Sequence, residues 1–101
     1  AEASIYLDAE QRQKVADISR YIDKVEDATV SVVGHTDATG QASTNMRLGQ
    51  DRAEFAKNYL MQNGIAESKI IATSKGQTQP IATNATEEGR EKNRRTVITL
   101  N

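Results

Sequence analysis

The chain has 101 residues, 37% of them hydrophobic and 27% charged, with a formal net charge of −1. That is enough for one modest core, too short for two independent domains, and not the composition of a disordered tail. The charge balance leaves no electrostatic footprint for nucleic acid, and three Tyr, one Phe and no Trp make no platform for base stacking. Without Cys, disulfides, thiolate catalysis and cysteine-ligated zinc are excluded. No apolar run approaches the ~20 residues of a membrane helix and no signal peptide is visible, so this segment is not expected to insert into a membrane.

Asp8 followed by Gln11 reads as a capping box, in which side chains satisfy the orphan N–H groups of a helix start. Behind it Val15, Ile18, Ile22 and Val25 recur at helical spacing, with Arg12, Lys14, Asp17 and Arg20 outside the stripe, predicting a helix over 8–26. The β-branched run Thr29 to Val33, bounded by Asp27 and Gly34, reads as a buried strand. A polar loop from Gly34 to Ser43 leads into a second helix over 43–62, with Leu48, Phe55, Ala56, Tyr59 and Leu60 expected towards the core. Asn63-Gly64 stops it. Lys69 to Thr73 is a short strand, 74–85 a Gly/Pro/Thr-bearing loop, and Thr86-Glu87-Glu88 opens a short helical turn. Arg95 to Leu100 alternates, with Thr96, Ile98 and Leu100 on one face, and closes the sheet. The order implies an α/β (α+β) two-layer sandwich, two helices on one face of a small mixed sheet. The repeated Ile71-Ala72-Thr73 and Ile81-Ala82-Thr83 are too short to indicate duplication.

Three stretches belong together: Gly34-His35-Thr36-Asp37 with Gly40; Asn45, Leu48, Arg52 and Ala53; and Asn93-Arg94-Arg95. In order and spacing this set resembles the OmpA-like peptidoglycan-binding family, whose pattern runs G-H-T-D-x-x-G, N-x-x-L-S-x-x-R-A and N-R-R before the last strand. Gly64-Ile65, Lys69-Ile70, Gly76, Pro80 and Ile81 also sit where that family places them, and the resemblance covers about residues 28–100 of what reads as a single domain. The chain departs from the pattern at Thr44, where Tyr is common, and at Gly49, where Ser is usual. A Gly costs ~1 kcal/mol against Ala inside a helix, so a locally softer second helix is expected. Ser4-Ile5-Tyr6-Leu7 matches the segment leading into the family's first helix. The family's first strand is then missing, and the chain reads as an excised fragment.

The resemblance implies non-covalent binding of peptidoglycan through the diaminopimelate of its stem peptide, anchoring an envelope protein to the wall. It implies a periplasmic domain, tethered to the outer membrane by a segment outside this sequence, with no enzymatic activity and no cofactor. Asp37 would take the ligand's ammonium and Arg52 its carboxylate, since a guanidinium presents the planar fork that a carboxylate fits. Backbone N–H groups of Gly34, His35, Thr36 and Asp37 would add donors, Asn45 and Leu48 would shape the wall, and Arg95 would complete the set.

Other readings compete. Asp37 also suits a cap on the turn to Gly40, and Arg52 a surface partner of Asp51. Arg94 and Arg95 suit structural pairing as well as ligand contact. His35 is the only His and forms His-x-Asp with Asp37, but no second His or Cys completes a metal set. A hydrolase using it as base would need Ser31 or Ser43 as nucleophile in a frame the sequence does not provide. Asn84-Ala85-Thr86 matches a glycosylation sequon by pattern alone. The alternative function is an envelope protein–protein interaction domain whose wall-binding site has degenerated.

Overall fold

The computed structural model describes residues 9–101. The expected cap at Asp8 and the segment 4–7 lie outside the described residues. Helix α1 spans Ala9–Lys24 and buries Val15, Ile18 and Ile22, the stripe its sequence spacing predicts. Strand β1 (Val30–His35) follows, then α2 (Ala42–Gln62), a turn of 3-10 helix at Glu67–Lys69 and strand β2 (Ile70–Gly76). Helix α3 (Glu87–Asn93) and strand β3 (Arg95–Leu100) complete the order. No helix among the described residues is long and apolar enough to cross a membrane.

The sheet is mixed and three-stranded, in the order β2-β1-β3. β1 pairs in parallel with β2 (Val32 opposite Ala72) and antiparallel with β3 (Val32 opposite Ile98). Val30, Val32, Ile70 and Ile98 form one core with Val15, Ile18 and Ile22 of α1 and Ala53, Ala56 and Leu60 of α2. Helices therefore cover one face, as the two-layer reading requires; Ile71 and Val97, on the other, stay exposed. α2 stops where Asn63 closes back on the Tyr59 carbonyl and Gly64 takes a φ of +91°, a conformation that a Cβ disfavours. Thr86 starts α3, its hydroxyl accepting the Gly89 N–H at 3.1 Å, a side-chain N-cap.

The buried stripe of α2 differs from the expected one. It runs through Asn45, Gly49, Arg52, Ala53, Ala56 and Leu60, while Phe55 and Tyr59 are only partly buried against the core. The cause is a backbone contact between α2 and β1. A Cβ on Gly34 would stand 1.7 Å from the Gly49 carbonyl oxygen, and one on Gly49 would stand 2.2 Å from Ser74 Oγ. Gly49 is therefore no soft point: α2 runs unbroken through it, and its missing side chain lets the helix settle on the sheet. Ser74 fills the space instead, donating its hydroxyl to the Met46 carbonyl at 2.7 Å.

Candidate functional site

Because β1 and β2 are parallel, their carboxyl ends lie side by side and both following loops emerge at one end of the sheet. A register shift between Gly34 and His35 sets His35 opposite Gly76, and the Thr36 N–H donates to the Gly76 carbonyl at 2.8 Å. Asn45, in the first turn of α2, ties the ends together, its Nδ2 donating to Thr39 O at 3.0 Å and to Gln77 Oε1 at 2.7 Å. Asn93 clamps the long loop from beneath. It is fully buried; its Oδ1 accepts the N–H groups of Ile81 and Ala82, and its Nδ2 donates to Ala82 O and Asn84 Oδ1. Asn84 Oδ1 in turn accepts the Ala38 N–H at 3.1 Å, locking the two loops together.

Between these loops, α2 and α3 lies an open cleft of about 670 Å³, lined by Thr36, Asp37, Thr39, Asn45, Leu48, Glu87, Arg90 and Arg94. Asp37 forms the centre of one wall. Its Oδ1 accepts the Thr39 N–H at 2.9 Å and its Oδ2 accepts from Arg94 Nη1 at 2.8 Å. Both side chains of the Asp37–Arg94 pair are only 13% exposed. Burial alone would raise the Asp37 pKa, but the hydrogen bonds from Arg94 and Thr39 outweigh it and hold the carboxyl below its ordinary value. Arg94 reaches a second anion: its Nη2 lies 2.5 Å from Glu87 Oε1. The bonds to Asp37 and Glu87 raise its pKa, while its Nε is buried with no hydrogen-bond partner. Arg90 stands 3.4 Å from Glu87 Oε2 and donates from Nη1 to Asn84 O at 3.0 Å.

Arg52 lies elsewhere than the sequence suggests. It is 0% exposed, does not line the cleft, and donates from Nη1 to the His35 carbonyl at 2.9 Å. Desolvation lowers its pKa first, Arg94 lowers it further, and Asp37 opposes both. Its charge thus lies close enough to act on both residues of the cleft wall. Gly34 is spent on the helix contact. His35 is 4% exposed, and burial, followed by the charges of Arg95 and Lys75, lowers its pKa to about 4; it is neutral at neutral pH. Arg95 sits opposite His35 and donates to Asn93 O and Gln79 O, bracing the long loop outside the cleft lining. Of the expected set, Asp37, Thr36, Asn45 and Leu48 meet in the cleft, and Gly34, His35, Arg52 and Arg95 do not line it. Sequence reasoning missed Thr39, Glu87 and Arg90; Glu87-x-x-Arg90, the first turn of a Thr-capped helix, was the available signal. Among the described residues no group of three or more His, Asp or Glu is placed to hold a metal ion.

The sequence profile of the OmpA family matches residues 1–94. This chain belongs to the OmpA family. It is similar to the peptidoglycan-binding protein ArfA of Mycobacterium tuberculosis strain H37Rv, 41% identical over 87 residues, which are 83% of this chain and 27% of ArfA. It is 37% identical to outer membrane protein A of Bordetella avium over 94 residues, 93% of this chain and 48% of that one. The chain thus spans less than half the length of either curated relative. Among solved structures, the peptidoglycan-associated lipoprotein of Burkholderia pseudomallei superposes with a TM-score of 0.87 at 24% identity, covering 96% of this chain and 82% of that one. That likeness shows the shared fold: helices packed on a small mixed sheet.

Proposed function

We propose that this OmpA-family domain binds peptidoglycan non-covalently through the diaminopimelate of its stem peptide and anchors an envelope protein to the wall. The observation that carries this reading is the Asp37 carboxyl, held ionised beside the Arg94 guanidinium in one open cleft. The free end of diaminopimelate is a zwitterion, and such a group asks for an anion and a cation side by side. Asp37 takes the ammonium. The carboxylate meets the guanidinium forks that face the opening, Arg94 and Arg90, with the buried charge of Arg52 behind them. The cleft volume falls within the ~300–1,000 Å³ of ordinary ligand pockets. The relationship to ArfA, named as a peptidoglycan-binding protein, supports peptidoglycan as the polymer bound. Binding proceeds without turnover, in the periplasm, with the tether to the outer membrane supplied outside this sequence.

The test is co-sedimentation with purified wall sacculi, followed by titration with two stem peptides that differ only in diaminopimelate against lysine. The extra carboxylate engages charged donors worth ~1.5–3 kcal/mol, so the diaminopimelate peptide should bind roughly ten- to a hundredfold more tightly. Equal affinities would overturn the diaminopimelate assignment, and failure to sediment would overturn wall binding.

A further inference from the structure

Both oxygens of Asp37 already accept a hydrogen bond, Oδ1 from the Thr39 N–H and Oδ2 from Arg94 Nη1. An incoming ammonium must therefore share or displace the protein's own cation there. Arg94 is held from two sides, Nη1 on Asp37 and Nη2 on Glu87. Its Nε remains buried without an acceptor, so the closed arrangement leaves one donor of the fork unused. Arg52, fully buried, repels Arg94 and attracts Asp37, so its charge bears on both members of the pair.

Resting on the wall-binding reading, we propose that Arg94 is a specificity-determining residue that exchanges partners. In the empty cleft it occupies Asp37; when a zwitterion enters, it yields Asp37 to the ligand's ammonium and turns its fork to the ligand's carboxylate. Glu87 is the positioning residue for this exchange, keeping hold of Nη2 so that the guanidinium leaves Asp37 without leaving the cleft. Both residues are in the cleft lining with Asp37, and α3 fixes Glu87 in its capped first turn. A ligand with an ammonium alone can displace Arg94 but gives it nothing in return. The exchange therefore discriminates against lysine-type peptides as well as favouring diaminopimelate, a selectivity that a static pair of charges would not produce. In the terms of population shift, the occupied state of Asp37 reduces the apparent affinity of any ammonium ligand by the fraction of time the site is open.

The two stem peptides, titrated calorimetrically into wild type, Arg94→Gln and Glu87→Gln, separate the cases. In Arg94→Gln the lysine peptide should bind about three- to tenfold more tightly than to wild type, because the internal competitor is gone. The diaminopimelate peptide should bind about tenfold more weakly, so the preference disappears. Glu87→Gln should weaken both peptides and keep the preference. In wild type, the Arg94 Nε–H resonance should shift when either peptide binds, to a different position with the diaminopimelate peptide, whose carboxylate the fork then meets, a measurement that needs no variant to fold. Loss of affinity for both peptides in Arg94→Gln, or retention of the full preference, would overturn the exchange while leaving wall binding standing. An Arg94 resonance indifferent to both bound peptides would do the same. Wild-type protein that binds neither peptide would overturn the exchange together with the reading it rests on.

Discussion

Asp37→Asn separates the two jobs the structure gives this carboxylate. Asparagine keeps an Oδ1 able to accept the Thr39 N–H, the 2.9 Å bond that closes the turn, and Asn is as suited to that local bonding as Asp. What it loses is the charge, and its amide sets donors against Arg94 Nη1, which now finds 2.8 Å to a carboxylate oxygen. The cost lies between that of an exposed ion pair, ~0–1 kcal/mol, and that of removing one partner from a buried pair, ~3–5 kcal/mol. With both side chains 13% exposed and Arg94 still holding Glu87, the lower part of that interval applies, about 1–2 kcal/mol. For a domain of this size each kcal/mol moves Tm by ~4–8 °C, so thermal melts should show a fall of roughly 5–15 °C, with the protein still folded at 25 °C. Binding should suffer more. The ligand's ammonium loses a charge-assisted contact worth ~1.5–3 kcal/mol, and sacculi co-sedimentation should weaken by at least about tenfold. An Asp37→Asn protein that sediments and melts like wild type would reduce Asp37 to a turn former and refute the reasoning. One that is unfolded at 25 °C would show the carboxylate to be part of the fold and leave its binding loss without meaning.

Two further outcomes test the packing around the site. His35 has its pKa lowered from 6.5 to about 4, so the unfolded chain binds the proton first; the stability it contributes is complete above pH 6.5 and is lost as pH falls from there towards 4. Denaturant melts should show at most ~1.3 kcal/mol less stability at pH 5.5 than at 7.5, and His35→Gln should flatten that slope; an unchanged slope would show that another group carries it. Gly49→Ala would gain ~1 kcal/mol of helix propensity but places a Cβ 2.2 Å from Ser74 Oγ and 2.9 Å from the Gly34 oxygen, a clash costing ~1–3 kcal/mol or more; Tm should fall, with partial recovery in the double variant with Ser74→Ala, and a rise in Tm would refute the close-contact argument.

The fold was legible where local chemistry and tertiary structure agree. Val15, Ile18 and Ile22 recur at helical spacing and all three are buried; Asn63-Gly64 ends α2 and Thr86 opens α3 by bonds their own side chains or backbones make. Arg52, to which the family resemblance gives the ligand's carboxylate, sits three residues after Gly49 and four before Ala56, squarely on the buried stripe. A guanidinium can occupy that position because the His35 carbonyl, at the register shift that ends β1, is there to receive it. No periodicity foretells that bond. The same holds for Arg94 and Arg95, adjacent in sequence and equally basic. Arg95, in β3 opposite His35, faces the long loop, while Arg94, the residue before the strand, turns to Asp37.

The charge of the site shows why composition misleads at this scale. A net charge of −1 over the chain gives no sign of an anion-seeking surface. Yet the fold brings the guanidiniums of Arg52, Arg90 and Arg94 together with the carboxylates of Asp37 and Glu87. Arg52 is wholly buried and acts on both Asp37 and Arg94. A buried charge is screened by salt far less than an exposed one, so the preference of the cleft for a ligand that brings a carboxylate should persist at ionic strengths that erase ordinary surface pairs. Binding that persists at high salt would favour the proposed recognition of one zwitterion at a time over loose adsorption to a polyanion, and binding erased by salt would refute it.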